Sequence, residues 1–131
     1  MIYIFFTVFA LVALDNVLFA WRICGGRGDL VKAHQLFGVL TLVINYSTTY
    51  VLASTATPLA LLTTSTHIVF GILALYLALL QTTISMASWI YAATCVEGAA
   101  RYTYAALAAA ALPPAIIYIL SIETLKTLLP S

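Results

Sequence analysis

Long apolar stretches alternate with short polar breaks along the chain, and the breaks carry most of its charge. Residues 2–21 (IYIFFTVFALVALDNVLFAW) form the first stretch, with Trp21 and Arg22 marking its exit at a membrane interface. The break RICGGRGD, 22–29, holds glycines and two arginines. Residues 30–53 form the second stretch. ASTATP, 53–58, reads as a tight turn, with Pro58 suited to the first position of a helix. The third stretch runs from Leu59 to Cys95, longer than one span needs. It reads as a tilted helix whose membrane span covers about 59–84, broken near Ser85–Ser88. A five-span reading would make 84–96 a very short span. Glu97-Gly98 and Arg101 form the next break. Residues 102–121 form the last span, which Pro113-Pro114 should kink by removing two backbone donors. The pattern predicts an all-α, antiparallel up-down four-helix bundle, a single transmembrane domain over 1–131.

Composition sharpens this reading. Of 131 residues, 64% are hydrophobic and 7% charged, with a formal net charge of +1. Soluble domains are about 45–50% apolar and about 25% charged. So few charges cannot clothe a water-facing surface, which excludes a soluble enzyme, a disordered segment and a nucleic-acid binder. The N-terminus lacks a basic region and a cleavage site, so the first run reads as a retained helix. Arg22, Arg27, Lys32 and Arg101 fall on one side and Lys126 on the other. The positive-inside rule then puts the protein in the cell membrane with both termini outside. Cys24 and Cys95 fall on the cytoplasmic side in that orientation, and free thiols are expected.

The clearest self-similarity surrounds the two histidines. His34 opens HQLFGVLTL and His67 opens HIVFGILAL, both H-x-x-F-G-[VI]-L-x-L. This is an inverted H-x-x-F-G repeat in helices two and three. Gly38 and Gly71 lie four residues after each histidine, on the same helix face. A small residue there admits a flat ligand or another helix, with Phe37 and Phe70 flanking the surface. His34 and His67 are therefore candidate ligands of haem b, and ordinary helix packing is the alternative. With the turn at 53–58, helical rise offsets the two histidines by about 15 Å along the axis. Their backbones are then about 18 Å apart, a strained fit to one haem. Asp15 reaches a similar depth to His34, where a carboxylate would fix the imidazole tautomer; its alternatives are Asn16 or a hydroxyl of helix two.

Asn45 to Tyr50 and Thr63 to Thr66 add a polar band near the second turn. Such a band suits a quinone head group, although hydroxyls also bond backward to helix carbonyls. The sequence shows no Ser-His-Asp pattern, paired carboxylates, H-E-x-x-H or phosphate loop, so no catalytic residue and no metal site is assigned.

The segments GRGDLVKAHQLFG, LTTSTHIVFGIL and RYTYAALAAAALPPAIIY together resemble the CtaM-like family of small four-helix membrane proteins found alongside haem–copper oxidases. The resemblance covers about residues 18–120. The family carries a further histidine near the start of its last helix, where this chain has Tyr102 and Tyr104. The resemblance implies an accessory or assembly subunit of a terminal oxidase, partnered by other membrane subunits and lipid. The paired histidines also look like those of small b-type cytochromes, which implies electron transfer to or from quinone. A small transporter rests on the internal repeat alone.

Overall fold

The computed structural model describes residues 2–54 and 65–129. Among these residues five α-helices appear in this order, with a short 3-10 turn at Gly28–Leu30 between the first two: α1 (Ile2–Cys24), α2 (Val31–Ser54), α3 (Ser65–Ala93), α4 (Ala99–Ala110) and α5 (Leu112–Lys126). The last two form one span interrupted at Ala111, so four helical spans are long and apolar enough to cross a membrane among the described residues. The protein is an all-α, integral-membrane-type bundle. The turn expected at 53–58 lies partly outside the described residues, as do Pro58 and Thr63–Thr64.

Each break has a local cause. Gly26 adopts φ 105°, in the left-handed region that suits glycine. The Arg27 amide returns to the Arg22 carbonyl at 3.0 Å and Gly26 to Ile23 at 3.1 Å, closing the end of α1. Gly98, at φ 69°, starts the turn into α4. Arg101 Nε lies 3.1 Å from the carbonyls of Ala93 and Val96 and so ties the C-terminal end of α3. The expected break near Ser85–Ser88 is absent: α3 runs unbroken to Ala93. Ser88 Oγ donates to the Ser85 carbonyl at 2.6 Å, so its polarity is absorbed within the helix.

The helix of the fourth span is interrupted at Ala111, beside the proline pair. Pro114 has no N–H to offer the carbonyl four residues earlier, that of Ala110. Tyr46 Oη from α2 donates to that carbonyl at 2.7 Å. The defect made by the proline therefore fastens one span to another.

α3 is central, packing along α1 on one side and along α4 and α5 on the other. α2 closes the ring between α1 and the fourth span and sits diagonally from α3. Large apolar side chains face outward, such as Leu36, Val43, Leu73 and Leu120, while Asn16, His34, Thr41, Asn45, Gln81 and Ser85 are buried. Polar groups inside and apolar groups outside is the arrangement hydrocarbon demands. Trp21, Tyr91 and Tyr102 are exposed at one end, and Tyr3 and Tyr50 at the other. Tyr3 and Trp21 are about 27 Å apart by helical rise, close to the thickness of a hydrocarbon core.

The free thiols expected for Cys24 and Cys95 are corrected. The two form a disulfide across 71 residues, with Cα atoms 5.2 Å apart. The ends of α1 and α3 meet at the same end of the bundle, which the spacing of two isolated cysteines does not reveal.

Tyr46→Phe should leave the Ala110 carbonyl without its donor and lower stability by about 1 kcal/mol, read as a depressed thermal midpoint in detergent. An unchanged midpoint would show that the interrupted span does not depend on this bond.

Candidate functional site

The polar side chains buried among the spans form a network built on two asparagines. Asn16, on α1, uses Nδ2 toward Thr41 Oγ1 of α2 and Ser85 Oγ of α3, both at 3.1 Å. Its Oδ1 accepts from the Trp89 indole N–H of α3 at 3.1 Å. Asn45, on α2, accepts at Oδ1 from Tyr118 Oη of α5 at 2.7 Å and from Thr82 Oγ1 of α3 at 3.1 Å. Its Nδ2 donates to the Thr41 carbonyl at 2.9 Å, linking the two nodes. All four spans are thus joined through two primary amides, which suit this role because each offers donors and an acceptor together.

His34 lies at the disulfide end of α2 and is fully buried. Its Nδ1 is 2.9 Å from Tyr104 Oη on α4. Phe19 of α1 stacks on the imidazole with ring centres 5.3 Å apart and planes 12° from parallel. Among the described residues His34 Nε2 has no hydrogen-bond partner. Among the described residues no hydrogen bond or ion pair joins Asp15 to His34. Asp15 is half-buried and lines a shallow outward recess with Leu18, Phe19 and Arg22.

The two halves of the repeat have different surroundings. A Cβ at Gly38 would come within 2.9 Å of Leu107 Cδ1 and 3.2 Å of Trp89 Nε1. The space its glycine leaves is therefore filled by the protein's own side chains. Phe37 packs near Phe19, at 5.9 Å between ring centres. Phe70, its counterpart, is half-exposed. Gly71 lines a separate recess with Thr48, Leu52 and Leu125. The side chain of His67 lies outside the described residues, although its backbone is the third residue of α3.

The Asn45–Thr82 bond fixes the register of α2 against α3. His34 is eleven residues before Asn45, and His67 is fifteen before Thr82, in helices running opposite ways. Helical rise puts the two about 39 Å apart along the bundle axis, not about 15 Å. No haem spans that distance, and the filled space beside Gly38 leaves no room for its plane there. The pair His34 and His67 does not fit one bridging haem. Among the described residues no three His, Cys, Asp or Glu side chains gather in metal-binding geometry.

Gln81, Trp89 and Tyr118 carry much of the network and were not marked by any motif. Tyr118 stands alone in the apolar run AIIYIL, while Gln81 and Trp89 bound the Thr- and Ser-rich stretch QTTISMASW within the third span. Comparisons with protein families, with curated proteins and with solved structures gave no match.

Asn16→Leu should cost about 2 kcal/mol, because it strands the Trp89 N–H in the interior and takes one donor from each of the Thr41 and Ser85 hydroxyls. Trp89→Phe should cost less in the Asn16→Leu background than alone. A double-mutant cycle by denaturation in detergent checks this, and strictly additive losses would refute the network.

Proposed function

We propose that this chain is a non-catalytic accessory or assembly subunit of a membrane respiratory complex, with a haem–copper terminal oxidase as its partner. The observation that carries the reading is how the buried polar groups are used. Asn16, Asn45, Thr82, Tyr104 and Tyr118 bond across helices, which suits a rigid scaffold rather than a reaction centre. The outer face of the fourth span offers Tyr102, Ala105, Ala106 and Ala109, where small side chains let a neighbouring helix approach. The CtaM-like resemblance supports the oxidase as that neighbour. The alternative, a b-type haem protein exchanging electrons with quinone, is weakened by the separation of His34 and His67.

The sidedness we infer is opposite to that drawn from lysine and arginine counts. Disulfides persist on oxidising faces and are rare in the cytosol outside hyperthermophiles. The Cys24–Cys95 bond therefore favours an outward-facing disulfide end and cytoplasmic termini. The charge bias rests on four residues against one, so a single covalent link outweighs it.

Two measurements test these readings. Affinity-tagged chain drawn from native membranes in mild detergent should bring haem–copper oxidase with it, and His34→Ala should leave the haem spectrum of the preparation unchanged. Recovery as a free monomer, with oxidase activity unaltered by deleting the chain, would overturn the subunit reading. A Soret band from the isolated chain that His34→Ala removes would restore the haem reading. Separately, a membrane-impermeant maleimide should label Cys24 and Cys95 in intact cells only after an impermeant reductant. Labelling confined to permeabilised cells would restore the orientation with both termini outside.

A further inference from the structure

Among the described residues Asp15 is the one charged side chain deep within a span. It lies twelve residues after Tyr3 and nine before Cys24, the limits of the first span. The next deepest charge, Lys32, is four residues from the end of its own span. By helical rise Asp15 is about 14 Å from the nearer end. Its carboxylate makes no hydrogen bond or ion pair among the described residues. Nor is it sealed in the core: Asp15 is half-buried and lines the outward recess of about 290 Å³ with Leu18, Phe19 and Arg22.

The recess belongs to a longer stripe. Ile4, Val8, Leu11, Asp15, Leu18 and Arg22 follow at three- and four-residue steps and share one face of α1. All but Asp15 are exposed. From Ile4 to Arg22 the face runs about 27 Å, close to the thickness of the hydrocarbon. α1 packs on the rest of the bundle through another side, which carries Phe9, Ala13, Asn16 and Ala20. A bare carboxylate at mid-span is costly, and acids at that depth are ordinarily paired with a cation. The cation of the same stripe, Arg22, stands two turns away toward the interface.

We propose that this face of α1 docks a membrane-spanning helix of another protein that carries a lysine or arginine near its middle, with the cation seated against Asp15. Depth and charge select the occupant. Lipid tails hold no cation, and lipid head groups and soluble cations stay at the interface. A cation about 14 Å inside must therefore arrive on a helix. A second copy of this chain is a poor match. Side by side about a two-fold axis, it sets Asp15 against Asp15 and Arg22 against Arg22, so like charges meet. The inference rests on the subunit reading only for which complex supplies the helix.

The full chain, with its disulfide intact, is reconstituted in phosphatidylcholine vesicles with a leucine–alanine transmembrane peptide of about 21 residues. One peptide has a single central lysine and its counterpart has norleucine there. Energy transfer between labels on chain and peptide is the readout. The lysine peptide should associate at about tenfold lower peptide-to-lipid ratio than its counterpart. Asp15→Leu and the isosteric Asp15→Asn should erase that preference, and Asp15→Glu should keep it. Since Asp15 bonds nothing within the described chain, both neutral variants should hold or raise the thermal midpoint, which separates lost binding from lost fold. Equal association of the two peptides with the unaltered chain would overturn the proposal. So would a preference that survives both neutral variants, or Asp15-dependent self-association with no response to the lysine peptide. Co-purification with oxidase tests the subunit reading separately, so either can fail alone.

Discussion

Hydrocarbon supplies no hydrogen bonds, so every polar group placed between these spans must find its partner within the protein. The bundle meets this through Asn16 and Asn45. Each amide stands where three helices meet and bonds to more than one of them. The register of α2 against α3, the burial of Trp89 and the seating of Tyr118 all follow from those contacts. Apolar packing among lipid-like side chains carries little directional information, because a leucine fits a lipid tail as well as another leucine. The amides supply the direction that packing lacks.

The same constraint acts where the last span is interrupted at Ala111. Two prolines in hydrocarbon leave carbonyls without donors. Tyr46 answers one of them from α2. At the disulfide end Arg101 serves the carbonyls that close α3, and the Cys24–Cys95 bond holds that end of α1 beside it. Among the described residues two buried side-chain atoms break the rule, His34 Nε2 and Gln81 Oε1. Only Gln81 borders a described recess; His34 is enclosed by Phe19 and Tyr104.

The reading of the histidines shows how a motif misleads without register. The H-x-x-F-G repeat is real in sequence, and its two glycines do lie one turn beyond their histidines. Whether two such surfaces meet depends on where the chain reverses between antiparallel helices. A shift of a few residues there moves the histidines by twice that rise. Tyr104, near the start of the last span, bonds His34 directly.

The sequence by itself determined the number of spans, the approximate limits of the first, second and fourth, and the membrane as solvent, while the third span was expected at about 59–84 and lies at Ile68–Ala93. Those follow from local composition and from chemistry within one turn of helix. The disulfide, the ring order of the helices, the separation of His34 from His67 and the partners of Asn16, Gln81 and Tyr118 belonged to the tertiary structure alone. Each depends on how one helix is rotated and shifted against another, and apolar periodicity is nearly blind to both when lipid surrounds every span.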